Sequence, residues 1–339
     1  MIDSANLLQL HRDLIEIPSL SHEEAEIADF VQAWLENTGA KVIRLGDNVI
    51  ASGSNQPKIL FNSHLDTVPP TEAWTRDPFT ATTEEGKVFG LGSNDTKGSV
   101  SAMMSAFAAL LSDGCRDVAI ILAPEEETGG KGTEIAWPHA RDELQWNPQA
   151  ILVGEPTSMQ IGASQSGMLV LEIIASGTAA HAAHATDNPV LTLAKDIVSL
   201  QGFGGQTTVL TGSKARNQVP ASATAVVDFR THPGICHTEL IDFLQAQIQA
   251  RVSVRSERLK PFQCPPESHL IQQIQTVRPE SKPFHSRTMS DLVFFQGFPA
   301  VKIGPGDTLR SHTADEFIYE HEVIEGANAY FEIAKEVCK

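Results

Sequence analysis

The sequence is poor in basic residues and in cysteine. Its 25 Lys and Arg stand against 42 Asp and Glu, which gives a formal net charge of −17. Nucleic acids and anionic membranes need a basic surface, so this charge balance argues against both as partners. The 4 cysteines lie far apart and form no Cys-x-x-Cys pair, which predicts ordinary reduced thiols.

Long apolar runs are also missing. No uncharged stretch approaches the ~20 residues that cross a bilayer, and residues 1–30 lack the apolar region of a signal peptide. We therefore expect a cytoplasmic protein. With 339 residues, of which 41% are hydrophobic, the chain has enough apolar material for its own core and predicts two domains or one large one.

Two common hydrolase signatures are absent. The sequence contains no His-Glu-x-x-His helix and no Gly-x-Ser-x-Gly elbow, which argues against a zincin and against a serine hydrolase of that type. Gly129-Gly-Lys-Gly132 lacks the spacing of a phosphate-binding P-loop, and we interpret it as a turn.

The chain does contain an alternation of amphipathic helices and fully apolar strands. Ser21 and Glu24 have the spacing of a capping box before a helix. Apolar strands that are followed by helices predict an α/β domain with a mixed sheet and helices on both faces. The segments that carry this prediction are strands 58–62, 117–123 and 150–153 and helices 97–112 and 320–337.

Around Gly167 the pattern changes to half-buried strands and shorter helices, which predicts a small α+β unit. Its strands are 168–175, 206–211 and 221–230, and its helices are 188–201 and 237–250. The sequence therefore predicts one domain formed by residues 1–166 and 263–339, interrupted by an inserted domain at 167–262.

Acidic and histidine residues follow the apolar strands, where α/β sheets build their sites. A single such residue is ordinarily structural or solvated, but carboxylates next to apolar strands repel one another unless a cation neutralises them. Imidazole and carboxylate without thiolate suit zinc, manganese or cobalt. The residues are His64, Asp66, Asp95, Glu125, Glu126, Glu127, Glu155 and His312.

In this order the motifs resemble the zinc-dependent family that includes acetylornithine deacetylase, succinyl-diaminopimelate desuccinylase, aminoacylase and glutamate carboxypeptidase. The resemblance covers essentially the whole chain and implies two divalent metal ions, zinc first, with cobalt or manganese as alternatives. It implies that His64 and Glu155 bind one ion, Glu127 and His312 bind the other, Asp95 bridges both, Asp66 orients His64, and Glu126 is the general base.

The register of the acidic triplet has an alternative. Relatives usually have Asp-Glu-Glu where this chain has Glu125-Glu126-Glu127. A slip by one residue would make Glu125 the base and Glu126 the ligand, and we favour the register without the slip.

The inserted domain carries three further matches. His181 resembles the histidine that steadies the oxyanion and that reaches the site from the partner chain in dimeric relatives. Asn217 and Arg230 resemble residues that hold the substrate, and a guanidinium suits an α-carboxylate. The ordinary alternatives are a surface histidine and a strand-surface ion pair. The resemblance implies that residues 167–262 form a lid and dimerisation domain of a homodimer.

The resemblance is strongest to acetylornithine and acetylcitrulline deacetylases, which implies an N-acyl amino acid substrate and a role in arginine biosynthesis. Succinyl-diaminopimelate desuccinylase and acetyl-lysine deacetylase are alternatives with the same chemistry. A dipeptidase or aminopeptidase and a non-enzymatic binding relative are alternatives of other classes. Two segments depart from the family pattern, Gln165-Ser166 and Arg287–Asp291.

Overall fold

The computed structural model describes residues 2–339 and divides them into two compact units. The first unit runs to Ser164 and also contains Cys264–Ser286 and Ser290–Lys339. The second unit consists of Gln165–Gln263 and Arg287–Met289. The assignment of residues 167–262 as a lid and dimerisation domain stays a prediction.

Helices and strands alternate through most of the described chain. The α-helices are α1 (Ser4–Glu16), α2 (Ala25–Glu36), α3 (Lys97–Ser112), α4 (Lys131–Pro138), α5 (Pro189–Gly202), α6 (His237–Gln247), α7 (Leu270–Val277) and α8 (Glu320–Val337). Short helical turns of other types occupy His139–Glu143, Asp291–Phe294 and Thr308–Arg310.

The strands are short except for three in the second unit. In chain order they are β1 (Lys41–Leu45), β2 (Asn48–Ser52), β3 (Ile59–His64), β4 (Thr82–Glu84), β5 (Lys87–Phe89), β6 (Val118–Ala123), β7 (Ala150–Val153), β8 (Ile161–Gln165), β9 (Gly167–Ser176), β10 (Ala180–His181), β11 (Gln206–Thr211), β12 (Gln218–Val219), β13 (Ser222–Thr231), β14 (Arg251–Leu259), β15 (Phe262–Gln263), β16 (Pro283–Ser286), β17 (Ala300–Lys302) and β18 (Phe317–Tyr319).

The first unit is built on a mixed sheet with the strand order β1-β2-β6-β3-β7-β17-β8. Strands β6, β3, β7 and β17 pair in parallel with one another, whereas β2 pairs antiparallel with β6 and β8 pairs antiparallel with β17. Every residue of β3, β6 and β7 is buried, as expected for apolar strands that are covered on both faces. The predicted α/β class with a mixed sheet is confirmed.

Parallel pairing brings the predicted site segments to one edge of this sheet. His64 at the end of β3 is in register with Ala123 at the end of β6. The amide of Gly154, just after β7, donates to the carbonyl of Asn62 in β3. The loops that follow these three strands therefore leave the sheet side by side.

The predicted capping box before α2 is wrong. The helix begins at Ala25, and the side chain of Glu24 makes no capping hydrogen bond. The Ser21 hydroxyl instead donates to Asp66 Oδ2 at 2.7 Å, and Glu24 Oε1 accepts the amide of Glu125 at 3.0 Å. Both side chains are taken up by tertiary hydrogen bonds to the loops of the candidate site.

The second unit contains an antiparallel sheet with the order β11-β13-β9-β14, with α5 and α6 packed against it. Its core is formed by apolar side chains such as Leu171, Ile173 and Leu244. Strand β14 was not predicted, because Arg251–Leu259 is largely polar and exposed and gives no clear alternation.

The predictions from composition concerned the state of the cysteines and membrane-spanning segments. Cys115, Cys236, Cys264 and Cys338 are all free, and the Cys338 thiol donates to the Asp117 carbonyl at 3.9 Å. Across residues 2–339, no helix is both long and apolar enough to cross a membrane.

Candidate metal centre

Side chains from four loops of the first unit form two overlapping groups of potential metal ligands. His64, Glu126 and Glu127 form one group, and Asp95, Glu127 and His312 form the other. Within each group the ligand atoms lie within 4.8 Å of one another. Because Glu127 belongs to both groups, the two potential sites adjoin.

Asp95 lies between the two histidines. Its Oδ1 is 3.3 Å from His64 Nε2, and its Oδ2 is 3.7 Å from His312 Nε2. His312 Nε2 is also 2.8 Å from Glu127 Oε1. One carboxylate thus presents an oxygen to each imidazole, which is the arrangement needed for a carboxylate that bridges two cations.

Asp66 connects two of the ligand segments. Its Oδ1 lies 3.4 Å from His64 Nδ1, on the side of the ring opposite the potential metal position. Its carboxylate also accepts the backbone amides of Glu126 and Glu127, at 3.0 and 3.1 Å. Asp66 therefore holds both the imidazole and the acidic loop, as an outer partner of a metal-binding histidine is expected to do.

The carboxylates of the centre are crowded and desolvated. Burial and the charge of Asp95 raise the pKa of Glu155 to about 8. Burial and the charge of Glu155 raise the pKa of Glu126 well above its usual value. Among residues 2–339, Glu155 belongs to neither group of three ligands, but it shares this electrostatic environment. A divalent cation would relieve the repulsion among these groups, so the donor set fits a metal ion.

Both histidines direct Nε2 toward carboxylates. Burial lowers the pKa of His64, but hydrogen bonds with Asp66 and Asp95 hold this pKa well above its usual value. The hydrogen bond with Glu127 raises the pKa of His312 to about 9. A cation would satisfy the same carboxylates that raise these two pKa values, which is a second indication that the residues fit metal.

The contacts of the acidic triplet favour the register without a slip. Glu125 Oε2 is 3.5 Å from His22 Nδ1, and its amide donates to Glu24. Glu126 and Glu127 both belong to potential ligand groups. The contacts of Glu125 are thus with residues of the loop before α2.

Three buried residues near the centre were not assigned from the sequence. Asp291 accepts the Thr133 hydroxyl at 2.5 Å, and burial raises its pKa to about 7. Burial lowers the pKa of Lys302, whose charge interacts with that of Glu155. Glu316 accepts three backbone amides of the loop that carries Asp95. Asp291 is the last residue of the segment Arg287–Asp291, which departs from the family pattern. No feature of the sequence indicates that Lys302 lies near the centre.

The second unit places two of its three predicted site residues together. His181 lies in β10, which pairs with β12, and the amide of Ala182 donates to the Asn217 carbonyl at 2.9 Å. Arg230 is exposed on β13, where its Nε lies 3.1 Å from Asp228 Oδ1. This ion pair is the contact expected if Arg230 is a strand-surface residue that does not bind substrate.

Comparison with known proteins decides the family. The model of peptidase family M20/M25/M40 matches residues 60–336. This chain belongs to that family. It is therefore a metal-dependent hydrolase, which confirms the family and the enzyme class predicted from the motifs.

Two curated relatives and one solved structure illustrate the similarity. An acetylornithine deacetylase of Proteus mirabilis is 26% identical over 92% of this chain and 91% of its own length. A succinyl-diaminopimelate desuccinylase of Acidiphilium cryptum is 31% identical over 67% of this chain and 68% of its own length. A dinuclear metal-binding M20-family peptidase of Bacillus subtilis has a TM-score of 0.75 at 17% identity, covering 98% of this chain and 97% of that chain.

Proposed function

We propose that this hydrolase removes a small acyl group from the α-nitrogen of an amino acid, with N-acetylornithine or N-acetylcitrulline as the first candidates. The observation that carries the proposal is the position of the Asp95 carboxylate between His64 and His312, with Glu126 beside them. The Proteus mirabilis relative, whose name states this reaction for ornithine, supports the choice of substrate. The predicted role in arginine biosynthesis rests on the same resemblance, and the cytoplasmic location expected from the sequence stays a prediction.

The proposed site holds two divalent ions, zinc first. His64 and Glu155 would hold one ion, Glu127 and His312 would hold the other, and Asp95 would serve as a ligand of both. When bound, the ions activate a water molecule and polarise the amide carbonyl. Metal binding requires these histidines and carboxylates to lose their protons, so affinity is expected to rise with pH.

The remaining residues move protons and hold the substrate. Glu126 takes the proton of the attacking water and passes it to the leaving amine, and its desolvated position strengthens its affinity for that proton. Asp66 fixes the ring of His64. His181 donates to the carbonyl oxygen as negative charge develops there. Asn217 and Arg230 bind the substrate, with Arg230 on the α-carboxylate.

A second candidate keeps the mechanism and changes the acyl group. The Acidiphilium cryptum relative, named as a succinyl-diaminopimelate desuccinylase, is the more identical of the two over a shorter match. A succinyl group differs from an acetyl group by an added carboxylate, so the two reactions need different charge at the acyl side of the pocket.

A panel of substrates tests the proposal. Zinc-loaded protein is given N-acetylornithine, N-acetylcitrulline, N-acetyl-lysine, N-succinyl-diaminopimelate and an unacylated dipeptide, and amine release is compared as kcat/KM. We expect an acetylated amino acid of the ornithine type to be preferred. Cleavage of the dipeptide alone would leave the metal centre in place and contradict the deacetylase, whereas preference for the succinyl substrate supports the second candidate.

We also propose that the second unit forms a homodimer through the edge of its sheet. Strand β11 is an edge strand that is exposed along its whole length and includes Val209 and Leu210. Leu191 and Val198 of α5 are exposed as well. An exposed strand edge with apolar side chains is a surface that pairs readily with another chain.

A further inference from the structure

The loop that carries Asp95 is held by one buried carboxylate. Glu316, which is 2% exposed, accepts the backbone amide of Gly92 through Oε2 at 2.9 Å. Its Oε1 accepts the amides of Asn94 and Asp95 at 2.9 and 2.8 Å. Three amide hydrogen bonds that converge on one buried side chain fix the backbone next to Asp95.

Asn94 ties the same loop to the segment that carries His312. Its Oδ1 accepts the amide of Asp307 at 3.0 Å. Its Nδ2 donates to the Asp307 carbonyl at 3.1 Å and to the Ser311 hydroxyl at 3.3 Å. The side chain of Asn94 thus pairs with the backbone on one side of His312, while Glu316 lies on the other side.

The two segments are also joined by strand pairing. Phe89 in β5 is in register with Phe317 in β18, and the amide of Gly90 donates to the Glu316 carbonyl at 3.1 Å. His312 has φ +59°, a left-handed backbone conformation that a histidine keeps only where its surroundings hold it. The separation of Asp95 Oδ2 from His312 Nε2 therefore depends on bonds made by neighbouring residues, not by the two side chains alone.

We propose that Glu316 and Asn94 are positioning residues, which clamp the Asp95 loop to the His312 segment. They thereby set the affinity of the centre for its second metal ion, the one assigned to Glu127 and His312. The inference rests on the proposed two-metal function. Neither residue is proposed as a ligand or as a group that touches substrate. Their effect is transmitted through the backbone of Asp95 and His312.

Three variants separate positioning from charge. Glu316→Gln keeps the length of the side chain, but it leaves one oxygen for three amide donors and turns an NH₂ group toward them. Asn94→Ala removes the bonds to Asp307 and Ser311 without changing any charge. Glu332→Gln, at an exposed position of α8, makes the same substitution away from the centre and serves as the matched control.

The experiment measures zinc affinity by competition with a chelator and counts the ions bound. We expect Glu316→Gln and Asn94→Ala each to bind the second zinc ion about 10–100-fold more weakly, the usual effect of removing an outer partner of a metal site. Raising free zinc should restore hydrolysis. The Glu332→Gln protein should bind both ions as the unchanged protein does.

Amide hydrogen exchange in the metal-free proteins provides a readout without metal or substrate. We expect faster exchange at Gly92, Asn94 and Asp95 in Glu316→Gln, with α3 and β6 unchanged. Should Glu316→Gln fail to fold, the affinity of Asn94→Ala decides the test.

The outcomes separate the clamp from the proposed function. An unchanged protein that binds two ions, together with folded variants that bind both equally well, overturns the clamp alone. Weakening in Glu316→Gln but not in Asn94→Ala assigns the effect to charge and also overturns it. An unchanged protein that binds no zinc contradicts the proposed function itself.

Discussion

Glu126 and Glu127 are adjacent in the sequence but have different partners in the structure. Glu127 is hydrogen-bonded to His312 and belongs to both ligand groups, whereas Glu126 belongs only to the group that contains His64. Asp66 accepts both of their backbone amides, so the turn after β6 directs the two side chains to different parts of one centre. This division suits a ligand at Glu127 and a proton carrier at Glu126.

Replacing Glu126 tests that division. We expect Glu126→Gln to lower kcat by about 10²–10⁴-fold, because general acid and base catalysis contributes that much, while the bound metal is retained. Glu125→Gln is the matched control, since Glu125 is paired with His22 and not with the centre. Steady-state kinetics and metal analysis of both variants give the answer. Loss of turnover with metal retained in Glu125→Gln, together with weakened metal binding in Glu126→Gln, would instead support the register slipped by one residue.

At the residue scale, the sequence predicted side chains that follow strands or occupy family motifs. His64, Asp95, Glu127 and His312 could be found in this way, and the structure brings their ligand atoms together. Lys302 and Asp291 could not, because their importance comes from burial next to carboxylates of other loops. Burial of a charged side chain depends on tertiary packing, which no local pattern reports.

At the element scale, apolar strands and periodic helices were predictable. Helices 97–112 and 320–337 and strand 150–153 have the predicted bounds. The errors fall where local chemistry is shared with distant residues or where a strand is polar. Ser21 and Glu24 have the spacing of a capping box but bond to Asp66 and Glu125 instead, and the exposed strand β14 has no alternation to reveal it.

The exposed edge strand β11 gives an element-scale prediction. Leu210→Lys places a charge in the proposed dimer interface, and we expect it to weaken dimerisation by at least about 2 kcal/mol, roughly 30-fold in Kd. Ile135→Lys, at another exposed apolar position, on α4 in the first unit, is the control. Sedimentation equilibrium measures both. A Leu210→Lys protein that dimerises as tightly as the unchanged protein would move the interface away from β11.

At the scale of the whole molecule, composition constrained the partners but could not identify the reaction. A net charge of −17 coexists with a centre in which carboxylates are concentrated and desolvated, and the ordering of such groups around two histidines is a property of the fold. The reaction class came from motif order and is supported by a family match over residues 60–336. The choice of acyl group depends on pocket contacts that motifs do not encode.

The central claim is that this chain hydrolyses the amide bond of an N-acyl amino acid only when its histidine and carboxylate centre holds metal. The most direct test strips the protein with a chelator, confirms by circular dichroism that it is folded, and measures amine release from N-acetylornithine as zinc is added back. We predict no turnover in the stripped protein and a rise in activity that saturates near two zinc ions per chain. Equal turnover before and after stripping, or none from any N-acyl amino acid in the reloaded protein, would contradict the account.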